Sequence, residues 1–144
     1  MIKLKKIHLD QIKCEAIACY PYECCGLLVG NINGELHHIN DVVPSKNILK
    51  NRVNNCFEIN PQDRINLERT LRGTREQIIG HFHSHPDCPC TPSRIDLELA
   101  HEPKMIWLIV SILEGEFNNF AAYRLDKTAK QYSELSCEII DGTI

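Results

Sequence analysis

With 43% hydrophobic and 24% charged residues, a chain of 144 residues has enough apolar material for a packed core and lies far from disordered or fibrous compositions. Its formal charge of -3, with no long run of like charges, gives no electrostatic case for nucleic acid or an anionic membrane. The longest apolar run, residues 105–113, is too short to span a bilayer, and MIKLKKIHLD at the start lacks the apolar stretch of a signal peptide. These features predict one cytoplasmic domain over 1–144, whose eight cysteines are reduced thiols, small buried residues or metal ligands and not a disulfide framework.

In chain order, residues 2–9 alternate like an edge strand, and Asp10 is placed to cap a helix over 11–20 with Ile12, Ala16 and Cys19 on one face, stopped by Pro21. CCGLLVGNI then reads as a buried strand, and Asn33-Gly34 as a hairpin turn into a second strand, ELHHINDVV. Residues 44–55 read as loop and 56–59 as a short strand, before a helix that starts with Pro61 and ends near Gly73. A strand over 77–85, a proline-rich loop and a helix starting at about Ser93 follow. The buried strand 105–113 pairs with 117–125 across Glu114-Gly115-Glu116, and 132–140 is a further strand. The fold class is α/β: a mixed sheet flanked by helices.

The chemistry concentrates in GHFHSHPDCPCTPSRID, residues 80–96. His83 and His85, two apart on a strand, share one face with their backbones about 7 Å apart, so their nitrogens can converge on one ion. Asp96, in the first turn of the next helix, can return a carboxylate as third ligand. Two imidazoles and one carboxylate leave a tetrahedral zinc one position open for water, the mark of a hydrolytic site. Such a site needs a proton acceptor, and Glu23, at the start of a buried strand where an idle charge is expensive, is the candidate.

Together, PYECCGLLVG, GHFHSHP and Thr91-Pro92-Ser93-Arg94-Ile95-Asp96 resemble the JAMM (MPN-plus, or JAB-domain) zinc metallopeptidases, in the compact prokaryotic form. Every position of that family's pattern is filled, over residues 21–96, whereas residues 126–144 add no support. The resemblance implies zinc held by His83, His85 and Asp96, Glu23 as general acid/base, Ser93 donating to the oxyanion, and a cytidine-deaminase-like fold. It further implies hydrolysis at the C-terminal Gly-Gly of a ubiquitin-like or sulfur-carrier protein; the charge pattern gives no nucleic acid or membrane partner, and a homodimer is left open. A cleft narrowed by Pro86, Pro89 and Pro92 would suit such a glycine tail.

Other readings compete. S-x-x-D is also a helix capping box, with Ser93 as N-cap, and the two duties of Ser93 compete. His81 shares the strand face of His83 and His85, where it could stand behind the ligands or on the substrate side, but such a residue is more often packing or exposed and it is left out of the site. Cys24, Cys25, Cys88 and Cys90 could build a structural zinc site in a non-catalytic interaction module, although CC and CPC are cramped for tetrahedral closure. A nucleobase deaminase would need H-x-E and P-C-x-x-C, which are missing. Cys88 and Cys90 read chiefly as loop packing, with redox control of the site as the alternative.

Overall fold

The computed structural model of the chain describes residues 1–49, 56–100, 102–126 and 131–141. The elements are β1 (Ile2–Lys5), α1 (Lys6–Cys19), β2 (Cys25–Asn33), β3 (Leu36–Ser45), α2 (Pro61–Leu71), β4 (Gln77–Pro86), α3 (Arg94–Leu99), β5 (Ile106–Leu113), β6 (Glu116–Leu125), β7 (Tyr132–Leu135) and β8 (Cys137–Ile140). The strands form one eight-stranded sheet in the order β7-β6-β5-β4-β2-β3-β1-β8. It is mixed: β4 runs parallel to β5 and antiparallel to β2, and β1 runs parallel to both β3 and β8. The expected α/β class is therefore observed.

β5, IWLIVSIL, is buried from Ile106 to Ile112, which explains its continuous apolar run: both faces are covered. Alternation along the strand divides the interior in two. Ile106, Leu108, Val110 and Ile112 join Leu9, Ile12 and Ala16 of α1 in the larger core, while Trp107 and Ile109 pack with Cys90, Tyr123 and Leu125 on the opposite face. Leu97 and Ala100 pack on that second core, so the β4-α3-β5 crossover returns over the face away from α1. β2 lies close to β4, and a Cβ at Gly26 would fall 2.3 Å from the Phe82 ring and 2.6 Å from the Val43 carbonyl oxygen. Only glycine fits there.

The start of the chain differs from expectation. The strand stops at Lys5, and Asp10 lies inside α1, paired with Lys6 one turn back at 2.6 Å. Leu9, Ile12 and Ala16, spaced i, i+3, i+7, are the buried face of the helix, so Leu9 satisfies a helical period as well as the alternation that suggested a strand. Residues 56–59 form no strand and contribute a single bridge, Asn47 to Ile59. Asn60 caps α2 by accepting from the Gln62 N–H, with Pro61 in the first turn as expected.

The tail also differs. In place of one strand over 132–140, β7 pairs with β6 at one end of the sheet and β8 with β1 at the other, with Ser136 alone between them. The Ser136 carbonyl accepts from the Ile2 N–H at 2.8 Å, and Leu135 and Cys137 both pack against the larger core. The sheet thus curls around α1, and the tail joins its two ends. Among the described residues, no helix is long and apolar enough to cross a membrane.

A candidate metal centre

β4 turns His81, His83 and His85 to the face away from α1, with His83 beside Ile109 of β5 and across from Cys25 of β2. The first turn of α3 brings Asp96 onto the same place, and Glu23, just before β2, arrives from the other side. Glu23, His83, His85 and Asp96 are all buried, and each offers a ligand atom within 4.8 Å of the others. His83 Nε2 lies 3.2 Å from His85 Nε2 and 3.2 Å from Asp96 Oδ2, which is 2.9 Å from His85 Nε2.

A tetrahedral zinc with bonds of about 2.0–2.1 Å spaces neighbouring ligand atoms roughly 3.4 Å apart. The three distances therefore fit one shared ion to within a few tenths of an ångström. The donor set itself, two imidazoles and a carboxylate, suits zinc. Glu23 Oε1 is buried with no hydrogen-bond partner, a costly state for a carboxyl that a nearby cation or water would relieve.

The electrostatics of the cluster follow from burial and mutual contact. Burial pushes the Glu23 carboxyl up to about 8. Burial also opposes charge on Asp96, but the adjoining imidazoles and the Ser93 N–H outweigh it and hold that carboxyl well below the usual range. Burial lowers His83; for His85 the opposing hydrogen bonds to Asp96 and the Pro89 carbonyl prevail and raise it.

Several supports carried no signal strong enough to be read beforehand. Ser84, between the two histidines and facing the α1 side, accepts from the buried Cys24 N–H at 2.8 Å, and its own N–H donates to the Cys24 carbonyl at 3.2 Å. That pair of hydrogen bonds locks the residue after Glu23 to the strand carrying the histidines. Asn47 donates to the Glu23 carbonyl at 3.0 Å and to the Cys56 carbonyl at 3.1 Å, and accepts from the N–H groups of Leu49 and Glu58. Strand parity points to Ser84; nothing local points to Asn47. Phe57 stacks on His83 with ring centroids 4.3 Å apart. The Pro89 carbonyl lies 2.8 Å from His85 Nδ1, a contact that places the proton on Nδ1 and leaves Nε2 free to ligate.

The two readings of Ser93 are compatible. Its Oγ accepts from the Asp96 N–H at 3.0 Å while its own N–H donates to Asp96 Oδ2 at 2.9 Å, a complete capping box. Accepting that bond uses a lone pair and leaves the hydroxyl proton available.

The four-cysteine alternative fails on geometry. Cys24 belongs to the core against α1 and Cys90 to the core on the opposite face, while Cys88 is exposed, so the sheet stands between them. Cys90 is packing: burial raises its thiol, and its carbonyl accepts from the Tyr123 hydroxyl at 2.8 Å.

A cavity of about 510 Å³ opens beside the cluster, sharing His83 and Asp96 with it. Pro86, Pro89 and Pro92 do not line it, so the narrow proline-walled cleft expected from sequence is not the space beside the site. His81, left out of the expected site, does line it, 5.6 Å from His83 and 5.4 Å from Trp107 between ring centroids.

Residues 5–126 match the family described as prokaryotic homologs of the JAB domain. A desampylase of Pyrococcus furiosus is 33% identical over 105 residues, 72% of this chain and 69% of that one. The CysO-cysteine peptidase of Mycobacterium tuberculosis is 24% identical over 106 residues, 74% of this chain and 70% of that one. The match to a Haloferax volcanii desampylase, 25% identical, spans 63% of this chain and only 63% of that protein's length. A solution structure of a protein from Desulfitobacterium hafniense superposes with a TM-score of 0.85 at 26% identity, covering 98% of this chain and 94% of that one.

Proposed function

The chain belongs to the family of prokaryotic homologs of the JAB domain, and from that premise we propose that it is a zinc metallopeptidase hydrolysing an amide or isopeptide bond. The substrate we assign is a ubiquitin-like or sulfur-carrier protein, cut at its C-terminal Gly-Gly. The names of the similar proteins, desampylases and a CysO-cysteine peptidase, support that class. The observation that carries the reading is the convergence of Glu23, His83, His85 and Asp96 in one buried group beside an open cavity.

In this reading His83, His85 and Asp96 hold the ion. Zinc in such a site supplies Lewis acidity toward the scissile carbonyl and lowers the pKa of water into the neutral range. Glu23 as carboxylate takes the proton of the attacking water and returns it to the leaving amine, and its burial raises its affinity for that proton. The Ser93 hydroxyl, fixed by its cap bond to the Asp96 N–H, donates its remaining proton to the carbonyl oxygen as negative charge develops. The Pro89 carbonyl keeps His85 in the ligating tautomer.

The test uses a ubiquitin-like protein fused through Gly-Gly to a reporter peptide, with zinc content measured on the same samples. Glu23→Gln should retain metal and lose roughly 100-fold to 10,000-fold in rate. His83→Ala should lose the metal. Full turnover by a zinc-loaded Glu23→Gln protein would place the base elsewhere, and a wild-type rate indifferent to metal removal would overturn the reading.

A further inference from the structure

The cavity beside the cluster has a chemical polarity of its own. Its inner end is His83 and Asp96; its walls include Leu27, Phe57, Ile59, Leu99, Met105 and Trp107; its outer rim carries Arg64, Glu58 and Glu102. Arg64 on α2 is paired with Glu102, with Nη2 and Oε2 2.9 Å apart, and with Glu68 at 3.2 Å. Among the described residues Arg64 is the one lysine or arginine at the rim, and it is paired. The walls favour apolar side chains.

Any chain whose scissile bond lies at the cluster must run into or past this space, since the two share side chains. On the reading above, the residues before the bond are glycines, which have no side chain to fill about 510 Å³ of apolar space. We infer that the cavity is a specificity pocket for the residue immediately after the scissile bond, and that it selects an apolar side chain there, leucine-like in size. This inference rests on the proposed hydrolysis at Gly-Gly. His81 lines the same wall, between Trp107 and His83, with its Nδ1 buried and unpaired.

Trp107 is the only tryptophan of the chain and lines the cavity, so its fluorescence reports occupancy without any turnover. Metal-free and zinc-loaded protein would be titrated with leucinamide and with glycinamide, which present the same free amine and uncharged end and differ only in the side chain. Leucinamide should give a saturable change in Trp107 emission at a concentration at least about tenfold below glycinamide, the discrimination a hydrophobic pocket typically gives to added methylenes. Leu99→Asn, at a position 53% exposed and therefore tolerant of a polar side chain, should erase that selectivity while leaving zinc binding intact. Met105→Asn is the second variant, with the same expectation. In parallel, Gly-Gly fusions followed by Leu, Asn or Gly should be cut with kcat/KM highest for Leu by a similar factor. Equal emission changes for the two amides, or selectivity that survives both variants, would overturn the pocket assignment. Fusions cut at equal rates would overturn it too while leaving the proposed hydrolysis standing. Failure to cut any fusion, with leucine-selective emission retained, would instead count against the hydrolytic reading.

Discussion

Ser84→Ala is a sharp test of how the site is held together. Ser84 is fully buried, and its Oγ accepts from the equally buried Cys24 N–H at 2.8 Å. Alanine removes one oxygen and creates almost no cavity, so the cost is that of leaving a backbone N–H without an acceptor, about 1–3 kcal/mol. For a chain of this length, 1 kcal/mol corresponds to roughly 3–4 °C, giving an expected fall in Tm of about 3–12 °C. The bond also fixes the residue next to Glu23, so the zinc-loaded variant should lose more rate than its folded fraction explains. A misplacement of about 1 Å at a reacting group costs on the order of 100-fold. The assays are calorimetry or urea unfolding of the metal-free protein, and kcat at a temperature where wild type and variant are both fully folded. A variant within about 0.5 kcal/mol of wild type, or one with unchanged kcat, would show that the Cys24 N–H finds another acceptor and that Ser84 does not position Glu23.

Two further outcomes are expected. Asp96 and the Pro89 carbonyl, against burial, hold the His85 proton above its ordinary pKa, and that proton must leave Nε2 before a metal binds. Zinc affinity should therefore fall steadily as pH drops from 8 to 5.5 in competition with a chelating dye, and a flat profile would refute this. Cys90→Ser places a hydroxyl in the apolar second core and should destabilise by about 1–3 kcal/mol, whereas exposed Cys88→Ser should be neutral, and activity should not respond to mild peroxide in either. Unfolding curves measure the first effect, and a peroxide response abolished by the Cys88→Ser change would restore the redox role.

What was legible in the sequence is what local patterning encodes. β2, β4, β5 and β6 announced themselves as apolar runs with turn residues between, and Asn33-Gly34 and Glu114-Gly115 marked hairpins that the structure contains. The metal group could be read because three of its members lie on one strand and the helix that follows, where spacing alone fixes the faces. The start of the chain reads as one strand because Ile2 and Leu4, and again Ile7 and Leu9, alternate with polar residues; the phase slips between Leu4 and Ile7, and packing against β3 and β5 decides for a helix from Lys6. Asn47 was invisible because its four hydrogen bonds are long-range or irregular and follow no periodicity. The cavity escaped for a similar reason: its walls come from separated segments, and Pro86, Pro89 and Pro92 do not line it.

The way the tail joins the two ends of the sheet bears on how the molecule comes into being. A strand edge left open is a template for pairing with another chain. β1 precedes β8 in the chain, and Ile2 pairs with Cys137, a long-range contact. One short segment supplies the outer neighbour of both β6 and β1, and it leaves as the sheet's two ends only the four-residue strands β7 and β8. Folding should show the slow, high-contact-order signature of a structure whose last local event is also its longest-range one.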